Sequence, residues 1–104
     1  MKTHGAIIEM VSRIVEVAAP RRIVLFGSYA RDAADADSDV DLLVLYEELD
    51  DRAAMNERIY HRLVGSALPK DVVIATMAEF ERYRDVPNCI FWFAARQGRV
   101  IYEG

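Results

Sequence analysis

The stretch "VDLLVLY", residues 40–46, constrains the fold more than any other. Side chains alternate between the two sides of a strand, and here both sides are apolar apart from Asp41. Such a run needs cover on both faces. The rest of the chain can supply it. Ile7, Ile8, Val11, Ile14, Val15 and Ala18 recur at helical spacing, and Pro20 closes that helix just past Ala19. "RRIVLFG" predicts a short buried strand ending at Gly27, and Ser28 is expected to cap a turn of helix through Arg31. Asp50 or Asp51 caps a helix in which Met55, Ile59, Leu63 and Val64 form one stripe, and Pro69 breaks it. "DVVIAT", residues 71–76, predicts a third strand, and "TMAE", residues 76–79, has the form of a capping box opening a short helix that ends before Pro87. Asn88 is expected to cap a last helix, "CIFWFAARQ", with Gly98 at its stop, and "RVIYE" to add an edge strand. No repeat, linker or low-complexity tract interrupts this order, so residues 1–104 are expected to form a single compact α/β domain.

Composition narrows the classes further. A chain of 104 residues buries roughly two-thirds of its unfolded surface, enough for one core and one site. A hydrophobic fraction of 53% with 29% charged residues is that of a soluble globular protein. "MKTHGAIIEM" meets Glu9 before an apolar stretch can develop, so no signal peptide is expected, and no run is long enough to span a membrane. Cys89 is the single cysteine, which excludes an internal disulfide and fits a reducing cytoplasm. The net charge is −4, yet Asp32, Asp35, Asp37, Asp39 and Asp41 alone carry five negative charges, so the remainder sums to +1. That balance argues against direct nucleic-acid binding, whose footprint is usually a basic patch.

The acidity belongs to "GSYARDAADADSDVDLLV", residues 27–44. Taken alone, an aspartate-rich loop is a solvated connection. A calcium loop counted from Asp37 puts Asp39, Asp41 and Glu48 at the third, fifth and twelfth positions, but Leu42 stands where the sharp turn needs glycine. Counting from Asp35 puts Val40 at six and Tyr46 at twelve, which is no better. Spacing favours a third reading. Asp39 and Asp41 are two apart at the mouth of a strand, so their carboxylates project from one face. Paired carboxylates suit a hard cation such as magnesium, which keeps its other positions for water and phosphate oxygens. If the second and third strands run parallel across the intervening helix, Asp71 joins the same site. Gly27 and Ser28 end the first strand beside it, where glycine permits close approach of a phosphate and a helix start favours anions.

This constellation resembles the signature of the polymerase-β-like nucleotidyltransferase superfamily, in particular its smallest, MNT-type members. The resemblance runs over nearly the whole chain. It implies a small mixed β-sheet flanked by helices, and transfer of a nucleoside monophosphate from a nucleoside triphosphate to a hydroxyl. Carried over, the metal-binding pair falls on Asp39 and Asp41, the third carboxylate on Asp71, and the phosphate-holding pair on Gly27 and Ser28. Arg31 also matches, either assisting the phosphates or bracing the loop. Asp32 departs from the pattern, because many relatives have glycine after that arginine. The implied cofactor is Mg2+, one or two ions, with ATP as substrate. Such small members usually accompany a HEPN-type ribonuclease toxin, and some adenylylate a toxin tyrosine. The expectation is therefore a cytoplasmic adenylyltransferase antitoxin in a hetero-oligomer. Its rivals are an antitoxin that neutralises by binding alone, and a small-molecule nucleotidyltransferase completed by homodimerisation.

Other residues have plainer readings. His4 and His61 lack partners at zinc spacing, and Arg21, Arg22, Arg52, Arg58 and Arg62 read as surface charge. Tyr29 lies within the loop, where stacking on a base is open to it. Phe91, Trp92 and Phe93 are consecutive, so one helix face cannot bury all three; Trp92 is the expected exposed member, offered to a partner.

Overall fold

The computed structural model describes residues 2–104. Its element order is α1 (Lys2–Ala18), β1 (Arg22–Phe26), β2 (Val40–Tyr46), α2 (Arg52–Arg62), β3 (Lys70–Thr76), α3 (Met77–Tyr83), α4 (Ile90–Gln97) and β4 (Arg99–Glu103). The strands form one mixed sheet in the order β3-β2-β1-β4. β1 lies antiparallel to both β2 and β4, whereas β2 and β3 are parallel across the α2 crossover.

Alternation along β2 divides the interior into two layers. Val40, Leu42, Val44 and Tyr46 face one side, where they pack with Ile7, Met10 and Ile14 of α1 and Ile59 of α2. Leu43 and Leu45 face the other, against Phe80 of α3 and Ala94 of α4. The five residues Leu42 to Val44, with Val40 and Leu45, are all fully buried. Cover on both faces is therefore the reason this strand tolerates only one charged residue.

Local signals mostly act as their chemistry dictates. Asp51 caps α2 by accepting from the Ala54 amide at 3.0 Å. The capping box at α3 is complete: Thr76 Oγ1 accepts from the Glu79 amide at 3.0 Å, and Glu79 Oε1 accepts from the Thr76 amide at 2.9 Å. Three details differ from expectation. Val64 is 72% exposed, because α2 ends at Arg62 and the chain turns away through Gly65, so the apolar stripe stops at Leu63. Cys89, not Asn88, is the N-cap of α4 and makes no side-chain cap bond; Asn88 instead takes a left-handed φ of 70° in the preceding turn. Ser28 to Arg31 is a turn rather than a helical segment. β4 does form an edge strand, with its register against β1 shifting between Ile23 and Val24.

Candidate active site

Register assembles the site. In the parallel pair Asp41 stands opposite Asp71, and in the antiparallel pair Asp41 stands opposite Phe26, the residue before Gly27. Three chain segments thus meet at one end of the sheet. The Val40 amide, between Asp39 and Asp41, donates to the Pro69 carbonyl at 2.9 Å and ties the mouth of β2 to that of β3. Asp41 shares its face with Leu43 and Leu45, and Asp71 shares its own with Val73 and Ala75, so both project on the α3/α4 side.

Gly27 is required twice over. Its φ of 73° is left-handed, and a Cβ built there would collide with Oδ2 of Asp41 and sit 3.1 Å from its Cγ. The glycine therefore lets the backbone lie against the carboxylate itself. Ser28 follows it, and its carbonyl accepts from the amides of Arg31 at 3.2 Å and Ala33 at 2.9 Å. Arg31 turns back, its Nε donating to the Gly27 carbonyl at 3.4 Å, which is the loop-bracing geometry.

The electrostatics centre on Asp41. It is half-buried, whereas Asp39 and Asp71 are exposed. Burial raises its pKa above the usual carboxylate range, and the negative charges of Asp71 and then Asp39 push in the same direction. Each neighbour is thus close enough to be felt. Among the described residues no three carboxylate, imidazole or thiol groups already converge as a closed cation cage. What brings these carboxylates to one place is the Asp41–Asp71 register and the charge that both neighbours exert on Asp41. The donor set nonetheless fits magnesium: it is all hard oxygen, it concentrates negative charge, and it leaves room for water and phosphate ligands.

The remaining loop aspartates do other things. Asp35 Oδ1 accepts from the Asp37 amide at 2.9 Å and from Ser38 Oγ at 3.2 Å, a self-contained turn. Asp32 adopts a φ of 56° and pairs with Arg99 of β4 at 3.1 Å. Sequence reasoning missed Arg99, because nothing local marks a residue 67 positions away as a loop partner. An apolar cavity of about 410 Å³, lined by Ile7, Val11, Leu25, Tyr29 and Ile101 among others, lies on the α1 side of the sheet. Asp32 and Arg99 line it too, whereas Asp41 and Asp71 project on the other face of the sheet. Tyr29 lines it and packs on that same core. No helix among the described residues is long and apolar enough to cross a membrane.

Comparison with known proteins gives the arrangement its context. The model of the nucleotidyltransferase domain family matches residues 6–97. No curated protein shows significant similarity. A protein of Sulfolobus solfataricus, described as a candidate nucleotidyltransferase, superposes with a TM-score of 0.63 at 18% identity, covering 95% of this chain and 78% of its own. A toxin–antitoxin structure with AMP-PNP superposes with a TM-score of 0.53 at 19% identity, covering 92% of this chain and 73% of that one. At such identities the structural likeness is one of fold, a small mixed sheet flanked by helices. The family match spans nearly every element described above, including the Gly27–Ser28 turn and both strand mouths, and the chain belongs to the nucleotidyltransferase domain family.

Proposed function

We propose that residues 1–104 act as one domain that transfers the AMP moiety of ATP to a hydroxyl of a second protein, a tyrosine of a HEPN-type ribonuclease toxin, and so serves as its antitoxin. The observation that carries this reading is the Asp41–Asp71 register with Gly27 pressed against Asp41. Asp39 and Asp41 would hold magnesium, with Asp71 completing the set. When bound, the ion neutralises the triphosphate and polarises the reacting oxygens. Gly27 and the turn from Ser28 offer the phosphates a close backbone approach. The acceptor oxygen bonds to the α-phosphorus, the bond to the bridging oxygen of the β-phosphate breaks, and pyrophosphate leaves with that electron pair. Asp71, exposed at the mouth of β3, receives the acceptor proton. A carboxylate is a weak base toward a hydroxyl, so the main contribution of Asp71 is to orient the acceptor.

Several features support a partner chain as the source of that hydroxyl. Asp39 and Asp71 are open to solvent. On the same side of the sheet, Trp92, half-buried like Phe91 and Phe93 rather than exposed as expected, packs edge-to-face on Phe93 at 5.0 Å outside either core cluster, while Tyr83, Val86 and Ile90 are 40%, 47% and 41% exposed. Aromatic and arginine side chains are the residues in which interfaces concentrate their energy, and Arg96 lies over the Trp92 ring at 5.0 Å. The likeness to a toxin–antitoxin structure with AMP-PNP is consistent with both nucleotide and partner.

The test is to incubate the protein with isotope-labelled ATP, magnesium and the protein encoded beside it, then measure intact masses. A gain of one or more AMP units on that partner, abolished by Asp41→Asn, is the expected result. Neutralisation of the partner with no mass gain would establish the non-enzymatic antitoxin instead.

A further inference from the structure

The turn after Gly27 closes through a left-handed residue that carries a side chain. The amides of Arg31 and Ala33 both donate to the Ser28 carbonyl, at 3.2 and 2.9 Å. The longer of these loops, from Ala33 back to Ser28, is the closure that ends a helical turn when the residue before it is left-handed. That residue is Asp32, with φ 56°. Glycine takes this conformation freely; aspartate adopts it better than most side chains, but at a cost glycine does not bear.

Asp32 is held from outside its own turn. Its Oδ2 accepts from Nη2 of Arg99 at 3.1 Å. Arg99 is the first residue of β4 and stands opposite Leu25 in the sheet. Its backbone is closely fixed: the Gly98 amide donates to the Ala94 carbonyl at 3.0 Å, and a Cβ on Gly98 would come within 2.7 Å of Val24 Cγ1. A cation on a fixed strand therefore reaches a strained residue in the loop that precedes the carboxylates.

We propose that Arg99 is a positioning residue: its pairing with Asp32 keeps that residue left-handed and so sets the turn from Ser28 for the nucleotide's phosphates. This rests on the reading of that turn as the phosphate cradle. Arg99 lies outside the stretch matched by the family model, residues 6–97. The side chains are 57% and 80% exposed, so the pair is a weak one. An exposed pair of this kind is worth about two- to fivefold in an equilibrium, which offsets part of the bias against a left-handed side chain and shifts the turn by that factor.

The experiment compares the parent protein with Arg99→Gln, Arg99→Lys, Asp32→Gly and the double variant Asp32→Gly/Arg99→Gln. Two quantities are read: hydrogen exchange of the Ala33 amide without nucleotide, and the Kd for magnesium–ATP by calorimetry. Arg99→Gln is expected to speed exchange and weaken ATP binding, each about two- to fivefold, with Arg99→Lys between it and the parent. Asp32→Gly/Arg99→Gln should return both to parental values, because glycine needs no partner to stay left-handed. Unchanged exchange in Arg99→Gln would overturn the latch whatever ATP does, as would failure of glycine to rescue. Faster exchange with an unchanged Kd would show that the turn does not hold phosphates, removing the positioning role and that part of the functional reading together.

Discussion

Asp41 is the residue at which the proposed function and stability pull against each other. Burial and the charges of Asp71 and Asp39 all disfavour its ionised form. Its folded pKa lies above the unfolded value, so its ionisation costs stability at neutral pH, and that cost fades as pH falls through the raised pKa and below the unfolded one. Asp41→Asn should therefore raise Tm by a few degrees at pH 7 in chelator, with the difference from the parent vanishing near pH 3, while abolishing AMP transfer. A lower Tm for this variant at pH 7 would mean that the carboxylate is held by bonds rather than strained by charge. Tyr46, at the other end of β2, is a different kind of liability. Its hydroxyl is buried with no hydrogen-bond partner among the described residues, and burial pushes its pKa up to about 12 against the opposing pull of Arg58. Leaving such a group unpaired costs about 1–3 kcal/mol, so Tyr46→Phe should stabilise the protein. A gain of about 1 kcal/mol would appear as a Tm increase of about 4–8 °C in a domain of this size. The placement of single residues divided sharply in legibility. The positions of Asp39, Asp41 and Asp71 were readable because strand alternation and a parallel crossover are strong constraints. The left-handed Asp32 and its dependence on Arg99 were not, since both depend on where β4 docks.

Helix α3 shows how an element is held by its first turn. Glu79 completes the capping box and also accepts from Arg52, the first residue of α2, at 2.7 Å. The Arg52 hydrogen bond, then the Thr76 amide, lower the Glu79 pKa below its ordinary value of 4.5. A depressed carboxylate pKa contributes stability that is present above the unfolded pKa and lost as pH falls through the folded one. The parent should thus lose stability below about pH 4.5, and Glu79→Gln should flatten that part of the profile in thermal melts. Thr76→Ala should cost about 1 kcal/mol by removing the cap itself. An identical acid profile for parent and Glu79→Gln would place the acid sensitivity in other carboxylates. The box was visible in "TMAE" because its chemistry is local. The start of α4 was misjudged for the complementary reason: Asn88 is a good cap by type, yet the turn that delivers the chain to α4 uses it as a left-handed residue.

At the scale of the whole molecule, the two faces of the sheet differ in what they leave open. The α1/α2 side carries the larger core, whereas the α3/α4 side carries the carboxylates and an aromatic helix only partly buried. Trp92→Ala should cost little stability, since that ring rests on Phe93 and Arg96 rather than in either core. A core tryptophan would cost about 3–5 kcal/mol. Affinity for the proposed partner chain should instead fall by about 2 kcal/mol, roughly thirtyfold. A melting temperature that collapses on this substitution would return Trp92 to the fold and leave the partner surface elsewhere. The parallel register of β2 and β3 has a further, kinetic consequence. Asp41 and Asp71 are brought opposite one another only when the α2 crossover closes, so the repulsion that marks the finished site also opposes the pairing that builds it. Non-local strand pairing is commonly the slow step for such topologies. Refolding should therefore accelerate as added sodium chloride shortens the screening length from about 10 Å at 0.1 M to about 3 Å at 1 M. In Asp41→Asn the same salt should change the rate far less, so that a chevron series at two ionic strengths would show whether this sheet closes against its own paired carboxylates.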